Sequence, residues 1–247
     1  MGHIEEAATD SIYIVIPTFN ERENIVPLIE EILRLHGARG PRIVVMDDNS
    51  PDGTAAAVLS MRSMFPNVHA IVRRGQRGYG HACAEGMAYA IREGAAFVIT
   101  MDADFSHAPE TLGEMIDAAR EADLVIGSRY VSARESAVRN WSAGRLWLSR
   151  LANLYVNCLT PAGVHDATSG FRCWRAGTLS CVLGGSRGHA VGYAFLTETL
   201  YRARLAGARI KEIGSVYRGR VKGESKMSLA IVAEALWIPL RVRFSRL

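Results

Sequence analysis

The sequence predicts an α/β protein built on a doubly wound, mostly parallel sheet flanked by helices. Three observations lead to that class. Short runs rich in β-branched residues recur through the first 130 residues. They are apolar on both faces, as strands covered by helices on each side are. Helical patterns of about ten residues or more separate them, the length that a right-handed crossover between parallel strands requires.

The first run is IYIVIPT at 12–18, followed by a helical pattern at 21–36 that Asn20 and Glu23 open in capping-box register. RIVVMDD at 42–48 precedes a helix over 54–64, and VHAIVRR at 68–74 precedes one over 81–93. AAFVITMD at 95–102 leads to a helix over 109–120, whose first turn suits Pro109 and Glu110. ADLVIGSR at 122–129 closes the series. Past residue 130 come an amphipathic helix over about 141–158, a glycine-rich turn at DATSGFR, a helix over about 193–206, a strand near 209–214 and a C-terminal amphipathic helix from about 228. No low-complexity linker or internal repeat interrupts this order. The expectation is a single domain over 1–247, with halves at 10–130 and 131–228 and a terminal helix at 229–247.

Composition narrows the class. With 247 residues, 49% hydrophobic and 22% charged, the chain suffices for a full core. A net charge of +4 and a pI near 9.0 suit an anionic ligand or acidic lipid surface without calling for nucleic acid. Cys83, Cys158, Cys173 and Cys181 form no CxxC pair, so reduced, mostly buried thiols in a reducing compartment are expected. The acidic start MGHIEEAATDS lacks the apolar stretch of a signal peptide, which points to the cytosol. The longest apolar run, Leu229 to Leu240, has 12 residues with Glu234 inside it, short of the roughly 20 that span a bilayer.

In open parallel sheets ligands lie beyond the carboxyl ends of the strands. Five such ends here carry Asn20, Glu21, Asp47, Asp48, Arg74, Arg77, Asp102, Asp104, His107 and Arg129. Asp and Asn at strand ends also build turns and caps, and for DDNSPDGT alone that reading weighs equally. Five coinciding ends favour a site. Within DADFSH, one residue separates Asp102 from Asp104. In extended backbone, such positions share a face about 6.6 Å apart, so the carboxylates repel unless a cation joins them. A carboxylate-only pair suits Mg²⁺ or Mn²⁺ better than zinc. Familiar phosphate loops are absent: GQRGYG is spaced GxxGxG, and no GxxxxGK[ST] occurs. Gly184 to Gly188 formally fits GxSxG, yet no Asp follows and no apolar strand precedes it.

IPTFNEREN, VVMDDNSPDGT, MDADFSH, GSRY, DATSGFR and RVKGESKM, in this order and spacing, resemble the polyprenol-phosphate (dolichol-phosphate) mannose synthases of glycosyltransferase family 2, over about residues 12–228. The resemblance implies a GT-A fold whose first half binds a nucleotide sugar, GDP-mannose, and whose second half binds the acceptor. Pro17, Thr18, Asn20, Glu21 and Asp48 would line the nucleoside. Asp102, Ala103 and Asp104 would address the ribose and a Mg²⁺ or Mn²⁺ ion bridging the two phosphates. Two departures from the pattern stand out. Ser106 occupies a place where relatives often carry Gln as a further metal ligand, and would join Asp102 and Asp104 as a weaker ligand acting through water. Gln76-Arg77-Gly78-Tyr79-Gly80 replaces the common Lys-x-Gly-Leu-Gly, which moves the cationic role to Arg77 or Arg74.

For the acceptor phosphate the resemblance implies Arg129, Arg145, Arg150, Arg220, Ser225 and Lys226. The wet face of a helix is a competing reading for Arg145 and Arg150. Asp166 and Glu198 match positions that orient the sugar hydroxyls, completing a catalytic set with Asp102, Asp104 and Arg129. A phosphate monoester has a second pKa of about 6, so the acceptor is largely a dianion at neutral pH and needs no general base. In-line attack then inverts the anomeric centre. The alternatives are UDP-glucose as donor, a hydroxyl acceptor with Asp166 or Glu198 as base, and a non-catalytic nucleotide-sugar-binding module. A greasy acceptor implies peripheral attachment to the cytoplasmic face of a membrane. RLWLSRLANLYVN and WIPLRVRFSRL supply basic, aromatic stretches for it, with core packing as the competing reading. A small membrane-protein partner is left open.

Overall fold

The computed structural model describes residues 11–131, 143–160, 162–184, 192 and 194–218, with 236, 237, 239–241, 243 and 244 near the C-terminus. In chain order, β1 (Ile12–Thr18) leads to α1 (Arg22–His36), β2 (Arg42–Asp47) to α2 (Thr54–Ser60), and β3 (Val68–Val72) to α3 (Tyr79–Arg92). Next come β4 (Phe97–Thr100), a 3-10 turn at Pro109–Thr111, α4 (Leu112–Ala119) and β5 (Leu124–Ser128). The remainder comprises α5 (Ala143–Leu159), β6 (Arg172–Arg175), α6 (Ala176–Gly184), α7 (Ala194–Leu205) and β7 (Ile210–Gly214).

Among the described residues these strands form one seven-stranded sheet in the order β3-β2-β1-β4-β6-β5-β7. All neighbouring pairs are parallel except those of β6, which runs against both β4 and β5. The carboxyl ends of the other six strands therefore share one edge, and the segment entering β6 arrives at that same edge. The order reverses between β1 and β4, which opens a crevice between their ends.

Period-two alternation sends side chains to two cores. Ile12, Ile14 and Ile16 join Ile25, Leu28 and Ile32 of α1 and Met115 of α4 on one face. Tyr13 and Val15 join Met87 of α3, Leu179 of α6 and Leu200 of α7 on the other. Each fully buried aliphatic side chain contributes about 1.5–3 kcal/mol, which is why double-faced apolar strands need helices on both sides. Helix α3 lies close to the sheet: a Cβ at Gly86 would stand 2.5 Å from Val15 Cγ1 and 2.8 Å from Met46 Cγ.

The expected mostly parallel sheet with flanking helices is what the chain forms, with local differences. β6 and α6 are not announced by the sequence pattern. α3 begins at Tyr79 rather than 81, and β4 stops at Thr100 rather than 102. The Asn20/Glu23 capping box does not form. Ser50 Oγ takes the Asn20 N–H at 2.9 Å, and Asn20 adopts φ 56°. Glu21 becomes the residue that starts the helix, and its carboxylate accepts Asn24 Nδ2 at 2.8 Å. All four cysteines are free, but only Cys83 and Cys173 are buried; Cys158 and Cys181 are exposed on α5 and α6. The C-terminal helix expected from about 228 lies mostly outside the described residues. Among those described, no helix is long and apolar enough to cross a membrane.

Candidate active site

The turn after β2 shows what strand-end carboxylates do when the fold itself uses them. Asp47 is 1% exposed; its carboxylate accepts Thr18 Oγ1 at 3.0 Å, Ser50 N at 2.9 Å and Ser50 Oγ at 2.6 Å. Asp52 accepts Thr54 N at 2.9 Å, Thr54 Oγ1 at 2.6 Å and Arg22 N at 3.1 Å. These bonds pin the PTFN turn after β1 to the turn after β2. Pro17 and Thr18 finish β1, and Glu21 N is held by Thr54 Oγ1 at 3.0 Å.

Asp48 has a different partner. It accepts the Arg73 guanidinium, and its second oxygen takes the Gly78 N–H at 2.9 Å. Arg73, with its side chain only 2% exposed, also grips Glu85 at 3.0 and 2.7 Å and the Gln76 carbonyl at 3.1 Å. The 73–80 loop is thereby folded over the end of β2. Arg77 stacks on Phe19 with its guanidinium carbon 4.6 Å from the ring centroid. The first, second and third strand ends thus converge. Arg73 was not among the residues expected there: adjacent to Arg74 at the end of a run, nothing in its sequence context marks it as buried.

The DADFSH segment differs from its expected geometry. Because β4 ends at Thr100, Asp102 and Asp104 sit in a turn, with Phe105 at φ 59°, rather than on one face of an extended strand. Asp104 is 3% exposed and its Oδ1 accepts Ser106 N at 3.0 Å. Asp102 keeps 23% of its side chain exposed, and Ala103 packs into the core below. Ser106 is fully buried, and its carbonyl accepts Arg218 N at 3.0 Å.

His107 is brought in beside them. Its Nδ1 accepts the Asp102 N–H at 3.0 Å, which places the proton of the neutral ring on Nε2, 3.9 Å from Asp102 Oδ2. The ring stacks on Phe171 at 5.0 Å and 8° and meets Tyr217 edge-on at 6.0 Å. Sequence reasoning placed His107 at a strand end but gave it no role. Burial holds the Tyr217 hydroxyl pKa above its ordinary value, with Asp102 the next cause.

Arg129 and Asp166 meet at the same edge. The Arg129 backbone N–H and Nε reach Asp166 Oδ2 at 2.9 and 2.7 Å, and Nη2 reaches Oδ1 at 2.5 Å and Thr168 Oγ1 at 2.6 Å. Although burial opposes the charge most strongly, the hydrogen bond to Asp166 wins and raises the arginine pKa. The Asp166 loop is held from behind: Glu212 of β7 accepts Asp166 N at 2.9 Å and His165 N at 2.7 Å. Arg129 also lies 5.6 Å from the Tyr217 ring centroid, so a continuous wall runs from Asp102 through His107 and Tyr217 to Arg129.

The other expected residues are dispersed. Glu198, on α7, is 6% exposed and paired with Arg202 at 3.1 Å. Arg150 is exposed on α5, and Arg145 belongs to the same helix. Arg220, Ser225 and Lys226 lie outside the described residues.

The donor set suits a hard divalent ion: a partly exposed carboxylate on Asp102 and a second carboxylate two residues on. Among the described residues no group of three or more His, Cys, Asp or Glu side chains is arranged to hold a metal alone.

Residues 13–183 match the family model of glycosyl transferase family 2. The chain is 40% identical over 232 residues to the polyprenol monophosphomannose synthase of Mycolicibacterium smegmatis, covering 93% of this chain and 85% of that one. It is 36% identical over 225 residues to the undecaprenyl-phosphate mannosyltransferase of Micrococcus luteus, covering 91% and 90%. The glucosyl-3-phosphoglycerate synthase of Mycobacterium tuberculosis, solved with Mn²⁺, uridine diphosphate and phosphoglyceric acid, superposes with a TM-score of 0.65 at 18% identity, over 95% of this chain and 78% of that one. That likeness shows a shared GT-A fold. With the family match spanning the rim from β1 to α6 and two relatives aligned over more than nine-tenths of its length, this chain belongs to glycosyltransferase family 2.

Proposed function

We propose that the protein transfers mannose from GDP-mannose to the phosphate of a polyprenyl monophosphate, with inversion at the anomeric carbon. The observation that carries this reading is the shared edge where the Asp102 turn and the Arg129–Asp166 pair meet, in a chain whose full-length relatives are named for mannosyl transfer to polyprenyl phosphates. Asp102 and Asp104 would hold Mg²⁺ or Mn²⁺, with the diphosphate completing the ligand shell; the ion supplies Lewis-acid stabilisation of the leaving group. Pro17, Thr18, Asn20 and Glu21 would line the nucleoside, with Asp48 holding Arg73 and the 73–80 loop beside it and Arg77 closing over it from Phe19.

On the acceptor side, Arg129 and residues 220–226 would address the lipid phosphate. At neutral pH this phosphate carries enough charge to attack without a base, because its second pKa is about 6. Asp166 orients Arg129 and the sugar hydroxyls. With both oxygens engaged by Arg129, it is poorly placed to accept a proton, which disfavours a hydroxyl acceptor.

The same reading assigns the exposed face of α5 to a lipid surface. Trp147 is 72% exposed and Leu154 61%, with Leu148 and Leu151 beside them and Arg150 on the same helix. The Tyr155 hydroxyl bonds the Leu236 carbonyl at 2.6 Å, which brings exposed Leu236 and Trp237 to this helix. Such a surface suits peripheral attachment on the cytoplasmic side.

The test offers GDP-mannose, UDP-glucose and UDP-N-acetylglucosamine in parallel with undecaprenyl phosphate and Mn²⁺. The expected product is a β-mannosyl phospholipid formed from GDP-mannose and lost with chelator. Transfer from a uridine nucleotide alone, or retained configuration by NMR, contradicts the proposal.

A further inference from the structure

The chemistry above makes no use of Tyr79, although its hydroxyl is buried beside the site. Tyr79 opens α3 immediately after Gly78, whose N–H is anchored by Asp48. Its hydroxyl reaches the Cys83 thiol one helical turn on. The phenol also touches the segment entering β6. A Cβ at Gly170 would lie 2.4 Å from Tyr79 Oη, 3.5 Å from Tyr79 Cζ and 3.7 Å from Asp102 Oδ1. Three segments distant in sequence therefore meet at one glycine: the loop over β2, the DADFSH turn, and the loop carrying Asp166.

Gly170 is anchored to the sheet. Its carbonyl accepts Thr100 Oγ1 at 2.8 Å, and Thr100 is the last residue of β4. The flanking loop is held below by Arg172, whose guanidinium donates to the carbonyls of Ala167, Ser169 and Leu196 at 2.9, 2.9 and 2.7 Å. Asp102 Oδ2 faces His107 Nε2 at 3.9 Å, and Oδ1 borders the same small space beside Gly170 that the Tyr79 hydroxyl occupies from the other side.

We infer that Tyr79 is a positioning residue: its phenol, wedged against Gly170, sets the Asp102 carboxylate toward the donor's metal-bound diphosphate and locks the nucleotide-side loop to the Asp166 loop. The kinetic part rests on the proposed function; the steric lock does not.

The test uses four full-length proteins: the parent, Tyr79→Phe, Gly170→Ala and the double variant. Three properties are measured: melting temperature without ligand, GDP affinity with Mn²⁺ by calorimetry, and mannosyl transfer against Mn²⁺ concentration. Gly170→Ala should melt lower and weaken Mn²⁺-dependent GDP binding about tenfold, since its methyl overlaps Oη. Tyr79→Phe should raise the Mn²⁺ requirement about threefold while changing kcat less. In the double variant the overlapping atom is gone and Cζ remains at ordinary contact, so binding and melting should return to the Tyr79→Phe values, a coupling that independent sites lack. A harmless Gly170→Ala, or effects that simply add, overturns the inference. Rescue of melting without rescue of the Mn²⁺ response also overturns it, leaving a packing contact only. If no mannose is transferred yet the calorimetric rescue appears, the lock stands and the functional reading falls.

Discussion

The turns after β2 and β4 each carry two aspartates within three residues, yet the fold uses them in opposite ways. In DDNSPDGT the carboxylates are consumed: Asp47 by Thr18 and Ser50, Asp48 by Arg73 and Gly78. In DADFSH, Asp104 turns back on Ser106 N, but Asp102 keeps an open edge, with His107 fixing its backbone. The difference teaches that acidic residues at a strand end become scaffold when neighbouring hydroxyls, amides and a guanidinium enclose them, whereas a carboxylate that stays partly exposed, as Asp102 does, is open to a ligand.

The comparison breaks most sharply at its two aspartates. Asp102→Asn should lower mannosyl transfer about 10²–10³-fold, the scale of removing a group that stabilises transition-state charge, while the melting temperature changes little. Equal loss of stability and activity would place Asp102 among the scaffold carboxylates. Arg73→Met should cost about 3–5 kcal/mol in urea unfolding, since Asp48 would be left as a buried charge without its partner. Asp47→Ala should cost about 1–3 kcal/mol by stranding the Thr18 and Ser50 donors, with kcat within about threefold of the parent.

The smallest effect sharpens the contrast at the opposite edge. Asp123 is held below the ordinary carboxylate range by its hydrogen bonds to the Arg209 side chain and backbone N–H. A depressed carboxylate adds stability above its unfolded pKa of about 4 and loses it as pH falls through the folded value. Asp123→Asn should therefore cost about 0.5–1 kcal/mol at pH 7, a difference that closes as the pH drops below about 4. A constant difference from pH 7 to pH 3 would show that the bonds matter geometrically, not through charge.

Much of this was legible in the sequence, for identifiable reasons. Double-faced runs such as IYIVIPT and RIVVMD can hardly be anything but covered strands, and their shared carboxyl edge places the site. β6 escaped because RCWR looks half-solvated, whereas Arg172 is fully buried and satisfied by backbone carbonyls. Burial lowers its pKa to about 10, an environment invisible in residue type. The reversed strand matters, since it delivers Gly170 and Asp166 to the rim. The extended, shared-face geometry expected of Asp102 and Asp104 does not form, because β4 ends early and the chain turns at Phe105. Arg73, His107 and Tyr79 owe their places to contacts across 25, 5 and 91 positions with Asp48, Asp102 and Gly170, beyond any local pattern.

The central claim is that the turn after β4, not the one after β2, is where a divalent ion and a sugar donor's diphosphate are held. Calorimetric titration of GDP into the parent, Asp102→Asn and Asp47→Asn proteins, each with Mn²⁺ and with chelator, addresses it directly. The account predicts that Mn²⁺ tightens binding at least about tenfold, or about 1.4 kcal/mol, in the parent and Asp47→Asn proteins and not in Asp102→Asn. Equal metal dependence in all three, or none in the parent, would contradict it.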